Sequence, residues 1–182
     1  MNGKDFERIT LHRLEWEERQ GRCTAGRYGV QGVFIDGKWS PIKSLPDLEG
    51  VLLGGRQFCF ELKVCSQASF PLDDDKLKAR QLKHLTRRAR FGAIAFLLIH
   101  FAARELKTKS EGPMTTAFPV LPGHPFWDAF DRGESTRIAR DDAEHFGVPV
   151  AWNAPGARKN STPDGLAAIL ELSRIPSPLF HN

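Results

Sequence analysis

Residues 93–101 form a run that is apolar on both faces of an extended chain. Strand side chains alternate between faces with a period of two. A strand lacking a polar face must therefore be covered on both sides, as a central strand in an α/β sheet is. The longest uninterrupted apolar stretch, residues 93–99, is far too short to cross a bilayer. Residues 114–120, reached through a polar segment at 107–113, are the expected neighbour of this strand. The chain has 182 residues, within the size of one domain that buries its own core. We expect a mixed central sheet flanked by helices, in one domain over residues 1–182 with a loose tail from residue 173.

A second constraint lies just upstream. Residues 48–65 read as two strands joined by a turn at Gly54-Gly55. On the second strand Phe58, Phe60, Leu62 and Val64 point one way, and Cys59, Glu61, Lys63 and Cys65 the other. The all-apolar face belongs against a core, which puts Glu61 and Lys63 together on the opposite face. If the hairpin returns Asp47 beside Glu61, two carboxylates and one ammonium share a small volume. Adjacent carboxylates raise a pKa unless a cation lies between them. Such an oxygen cluster suits a hard divalent ion such as Mg²⁺, with metal-assisted phosphodiester hydrolysis as the chemistry. A Glu-x-Lys on an exposed strand is, alternatively, a solvated face.

The run Asp47, Glu61-Leu62-Lys63, Ser69-Phe70-Pro71-Leu72, Arg80-Gln81 and the apolar strand at 92–99 is similar to the PD-(D/E)xK nuclease superfamily. Within it, the chain resembles the RecU-type Holliday junction resolvases of bacteria and their phages. The likeness runs over residues 43–152. The chain departs from that pattern in three places. Ser44-Leu45-Pro46-Asp47 stands where the family has Ser-Thr-Thr-Asp, and Arg80 replaces the histidine of a His-Gln pair. Only residues 32–42 occupy the place of a longer stalk insertion.

The resemblance implies a restriction-endonuclease-like α/β fold and a Mg²⁺-dependent endonuclease, with Mn²⁺ as the alternative ion. The substrate it implies is branched DNA, the four-way junction first, cut by paired nicks from a homodimer. Asp47, Glu61, Lys63 and Gln81 are the expected catalytic residues. Asp47, Glu61, the main-chain carbonyl of Leu62 and Glu7 are the expected metal ligands. Two other functions stay open: the same chemistry on other branched or duplex DNA, and a catalytically inactive DNA-binding accessory protein of recombination.

Residues 4–20 read as a first helix with a stripe of Phe6, Ile9, Leu14 and Trp16. Glu7, near its start, is either a metal ligand or an acid favourably placed at a helix N-terminus. The Gly- and Arg-rich segment 21–32 is either a phosphate-binding loop carrying Arg27 or a mobile connection. Asp36-Gly37 marks a hairpin from which Lys43 reaches substrate. A helix over residues 73–90, opened by Asp73-Asp74-Asp75, buries Leu82, Leu85 and Ala89. It presents Lys76, Lys78, Arg80, Lys83, Arg87 and Arg88 with no acid after Asp75, a footprint for a phosphate backbone. Gln81 turns toward the sheet, as an active-site amide or as packing, and Ser69 bonds a phosphate or caps its turn. Residues 125–130 and 141–146 read as short helices, 148–152 as an edge strand, and Thr162-Pro163-Asp164 as a helix start. Arg137 and Arg140 touch phosphate or are surface charge.

Composition narrows the partners. The net charge of +4 is compatible with an anionic partner without requiring one. Three cysteines in no paired spacing give neither a disulfide framework nor a zinc site. That pattern fits a reducing cytoplasm, and the opening residues have no signal-peptide core. A soluble cytoplasmic protein is expected.

Overall fold

The computed structural model describes residues 1–27, 31–42, 46–72, 79–105, 110–153 and 162–175. Helix α1 (Gly3–Arg19) opens on Asn2, whose side chain accepts from the Asp5 amide at 2.9 Å. Strand β1 (Cys23–Gly26) follows, within a segment the sequence reads as a loop. Its alternating pattern is too short to register against so many glycines, and only pairing with a neighbour defines it. Strands β2 (Gln31–Ile35) and β3 (Lys38–Ile42) form the expected hairpin. Positive φ at Asp36 and Gly37, 50° and 73°, gives the turn that suits tightly linked antiparallel strands.

The central hairpin is β4 (Leu48–Leu52) and β5 (Gln57–Cys65). Strand β6 (Ser69–Pro71), helix α2 (Ala79–Arg90) and strand β7 (Ile94–Phe101) come next. The acidic start expected at 73–75 lies outside the described residues. The polar segment at 107–113 contributes β9 (Ser110–Glu111), which pairs with β8 (Arg104–Glu105) just before it. Arg104 and Arg140 both approach Glu111 there, at 3.8 and 4.0 Å. Strand β10 (Met114–Pro119), helix α3 (Pro125–Asp131), strand β11 (Arg137–Ala139) and helix α4 (Arg140–Phe146) complete this half. The end of the chain contributes β12 (Val148–Pro149), β13 (Trp152–Asn153), β14 (Thr162–Pro163) and α5 (Gly165–Ser173). Pro163 thus precedes the last helix instead of opening it. Asp164 is the cap, accepting from the Ala167 amide at 3.1 Å. That helix includes Ser173, and residues 176–182 lie outside the described residues.

The main sheet has the order β1-β4-β5-β7-β10-β12. Its centre is the parallel pair β5 and β7, flanked by antiparallel neighbours on each side. This is the mixed central sheet expected from the sequence. All eight residues of β7 are buried, because α1 and α5 cover one face and α2, α3 and α4 the other. Full burial of a large apolar side chain is worth roughly 1.5–3 kcal/mol, so this strand anchors both layers. On the first face Phe60 stacks on Phe96 at 4.5 Å between ring centroids. His100, the polar residue of β7, is accommodated beneath α1. Its Nδ1 lies 2.8 Å from Thr115 Oγ1, which also accepts from Trp152 Nε1 at 2.7 Å.

The first helix buries more charge than its apolar stripe suggests. Phe6, Thr10, Arg13, Leu14 and Glu17 are its buried residues, and Trp16 is only half-buried. Arg13 bonds Glu17 at 2.7 Å and approaches Asp164 at 3.6 Å, tying α1 to the cap of α5. Arg22 bonds the same Glu17 at 2.8 Å, and both guanidiniums lie over the Trp16 ring. Among the described residues no helix is long and apolar enough to cross a membrane.

Strands β1 and β4 approach too closely for a side chain at Gly50. A Cβ there would meet the Thr24 carbonyl oxygen and the Phe58 ring. Gly50→Ala is therefore expected to destabilise the fold by about 1–3 kcal/mol, the usual range for overpacking. Urea unfolding monitored by tryptophan fluorescence would show a lowered midpoint with an unchanged slope.

Candidate active site

The hairpin register decides which side chains meet. Leu48 lies opposite Phe60, so Asp47, one residue before the strand, comes level with Glu61. Leu48 and Leu52 enter the core under α1, together with Phe58, Phe60 and Leu62. Alternation then turns Asp47 and Glu49 to the other face, with Cys59, Glu61 and Lys63. That face is not open to solvent, because α2 lies over it with Leu85 and Ala89 buried. Glu61 is consequently only 1% exposed.

Four residues close on this point. The Leu62 amide donates to Asp47 Oδ2 at 2.9 Å, fixing the aspartate to the neighbouring strand. Gln81, from the first described turns of α2, donates through Nε2 to Glu61 Oε2 at 2.6 Å. Lys63 Nζ donates to Gln81 Oε1 at 3.4 Å and lies 3.6 Å from Glu61 Oε2. These lysine distances exceed those of a tight charge-assisted bond, about 2.7–2.9 Å. The amide of Gln81 thus bridges an anion and a cation, using its donor for one and its acceptor for the other.

The second oxygen of Glu61, Oε1, is buried with no hydrogen-bond partner among the described residues. Burial pushes the Glu61 carboxyl up to about 9, reinforced by the charge of Asp47 and a hydrogen bond with it, and opposed by Lys63. Two carboxyls in such contact keep a proton between them unless a cation takes its place. Among the described residues no group of three or more His, Cys, Asp or Glu side chains gathers as a metal cage. Two carboxylates with an orphaned buried oxygen nevertheless fit a hard divalent ion that keeps several water ligands.

One register step along the hairpin, Glu49 lies opposite Cys59. Arg88, two turns beyond Gln81 on α2, reaches Glu49 Oε2 at 3.2 Å. Burial raises the Glu49 carboxyl despite this partner, and pushes the Cys59 thiol up to about 11 with the Arg88 guanidinium beside it. Neither Glu49 nor its pairing with Arg88 was expected from the sequence. The signal was present in the alternation of β4, which puts Glu49 on the same face as Asp47. His84, one turn from Gln81, was also missed. It is half-buried, its Nε2 has no hydrogen-bond partner, and burial followed by Arg88 and Arg87 lowers its pKa.

The other expected residues are dispersed. Arg27 bonds Glu7 at 3.0 Å, which gives Glu7 a guanidinium partner at the end of β1. Ser69 belongs to the β6 ladder opposite Ala139, and its carbonyl accepts from Cys65 Sγ at 3.3 Å. Arg80, Lys83 and Arg87 are exposed on α2, whereas Arg88 turns inward. Arg137 is exposed, and Arg140 bonds the Gly112 carbonyl at 2.5 Å. Lys43, Lys76 and Lys78 lie outside the described residues.

The raised Glu61 carboxyl has a stability consequence with a definite sign. Its folded pKa lies above the ordinary carboxylate value of 4.5. The protonated group therefore contributes stability that is complete below about pH 4.5 and is lost progressively as pH rises toward about 9. With chelator present, the wild-type urea midpoint is expected to decline across this window, and Glu61→Gln to flatten the decline. Saturating Mg²⁺ is expected to restore the wild-type midpoint at pH 8, since a cation bound to the folded state alone stabilises it.

Residues 35–107 match the family model described as recombination protein U, RecU. No curated protein matches the chain. Among solved structures the chain is similar to Hjc, a Holliday junction resolvase from the archaeal hyperthermophile Archaeoglobus fulgidus. The two share 22% identity over 81% of this chain and 95% of that one, with a TM-score of 0.44. The matched family segment contains Asp47, Glu61, Lys63 and Gln81, and through it this chain is RecU-like.

Proposed function

We propose that the chain is a Mg²⁺-dependent endonuclease that resolves four-way DNA junctions by paired nicks. It acts in the cytoplasm as a single nuclease domain that assembles into a homodimer. The observation that carries this reading is the meeting of Asp47, Glu61, Lys63 and Gln81 across β4, β5 and α2. Such a group has little structural reason to exist, since a buried carboxylate beside another acid costs stability at neutral pH. The likeness of residues 35–107 to recombination protein U supports a substrate met in DNA recombination, for which a branched junction is the proposed one.

In this reading Asp47 and Glu61 would hold the ion, with the Leu62 main-chain carbonyl as a further oxygen donor, whereas Glu7 is engaged by Arg27 at 3.0 Å. Bound there, a divalent cation supplies an acidified water and stabilises charge developing on the phosphate. Lys63 adds a positive charge beside the water and the scissile phosphate. Gln81 is the residue that aligns Glu61 with Lys63, because its amide touches both. The exposed Arg80, Lys83 and Arg87, with Lys43, Lys76, Lys78, Arg27 and Ser69, meet the DNA backbone. Such contacts strengthen binding in a salt-dependent way and carry no sequence information. A junction with twofold symmetry needs two equivalent nicks, which a twofold dimer delivers.

The experiment is cleavage of labelled four-way junction, flap and linear duplex at fixed salt, with Mg²⁺, with Mn²⁺ and with chelator. Wild type is expected to cut the junction preferentially and only with metal. Glu61→Ala and Lys63→Ala are expected to lose at least about a hundredfold in rate, the scale of removing one charge-stabilising group, while still retarding the junction in a gel. Unimpaired cutting by either variant would overturn the assignment. Equal cutting of flap or duplex would keep the chemistry and replace the substrate. Gln81→Ala is expected to lower the rate by about tenfold, on the scale of about 1.4 kcal/mol for one hydrogen bond to a charged group.

A further inference from the structure

The face that carries Asp47 and Glu61 holds a third acid. Glu49 follows Asp47 by two residues on the same strand, so their side chains stand about 7 Å apart on one face. Glu49 lies opposite Cys59, and Cys59 is likewise two residues from Glu61 on β5. Asp47, Glu49 and Glu61 thus occupy three of the four corners of one hairpin patch, with the uncharged Cys59 at the fourth. Its acids differ in what they face: Gln81 bonds Glu61 at 2.6 Å with Lys63 3.6 Å away, whereas Arg88 lies 3.2 Å from Glu49. Arg88 is delivered by the same helix as Gln81, seven residues further on, and is turned inward between exposed Arg87 and buried Ala89. Its guanidinium meets both the Glu49 carboxylate and the Cys59 thiol, and its Nε has no hydrogen-bond partner among the described residues.

We propose that Arg88 is a built-in counter-cation that engages Glu49 and so limits this carboxylate face to one divalent ion, held by Asp47 and Glu61. Glu49 is the carboxylate that would be left to hold a second ion, and the guanidinium engages it. Arg88 is in this role a positioning residue, acting through Glu49. The inference rests on the metal-dependent reading above and adds the number of ions and the residue that sets it.

The test counts bound Mn²⁺ per chain in metal-stripped full-length protein, from the free-ion electron paramagnetic resonance signal and from calorimetry. Wild type is expected to bind one ion, Arg88→Met two, and Arg88→Met/Glu49→Gln one again. Arg88→Gln, which keeps a polar side chain on the helix, is expected to behave as Arg88→Met, and circular dichroism establishes that each variant is folded. Arg88→Lys retains a positive charge and is expected to bind one. One ion in both folded Arg88→Met and Arg88→Gln, or two in wild type, would overturn this inference and leave the metal-dependent reading standing. No ion bound by wild type would overturn both.

Discussion

A carboxylate with almost no contact with water sits at the centre of this structure, and much of its surroundings follows from having to accommodate it. Glu61 is placed on the inner face of β5 by strand alternation, and α2 then seals that face. A buried carboxylate without partners is costly. The chain supplies one strong partner, the Gln81 amide, and one loose one, Lys63. Among the described residues it gives Oε1 no hydrogen-bond partner. The arrangement is stable enough to fold and incomplete enough to favour a proton or a cation.

The two sides of the sheet divide structural and chemical work. On the α1 and α5 side, Phe58, Phe60, Leu62, Phe96 and Leu98 form a continuous apolar core. Charge on that side lies in the helix layer and its flanks, where Arg13 and Arg22 pair with Glu17 and Arg13 approaches Asp164. On the α2 side, apolar packing by Leu85, Ala89, Leu97 and Phe118 stops short of β4, and the vacated area carries Asp47, Glu49 and Arg88. The apolar core lies on the first face, and the buried carboxylate on the second. A shift of β5 against β4 by one residue would exchange the faces altogether.

The helix α2 serves both as a lid over the sheet and as a source of functional groups. Its apolar residues fix its distance from β7, and that distance brings Gln81 within bonding range of Glu61 and Arg88 within range of Glu49. Its outer surface keeps Arg80, Lys83 and Arg87 exposed. One amphipathic helix therefore couples core packing, alignment of the site and positive surface charge.

Periodicity made part of this legible in the chain itself. The doubly apolar β7, the alternation of β5, the Asp36-Gly37 and Gly54-Gly55 turns and the basic face of α2 are local properties. They follow from strand and helix geometry without knowledge of neighbours. The Asp47, Glu61, Lys63 set was readable for the same reason, since one hairpin carries all three. What local pattern leaves open is partnership between elements distant in sequence. The β1 edge, the β6 ladder with β11 and the β8 ladder with β9 are too short to announce themselves, and pairing alone defines them. The inward turn of Arg88 to Glu49, the Glu7 pairing with Arg27 and the burial of Arg13 with Glu17 also depend on which helix lies over which strand. In sequence these are charged residues suited equally to solvent. Packing decides which of them are withdrawn from it, because a charge moved from water must find a counter-charge or hydrogen bonds nearby.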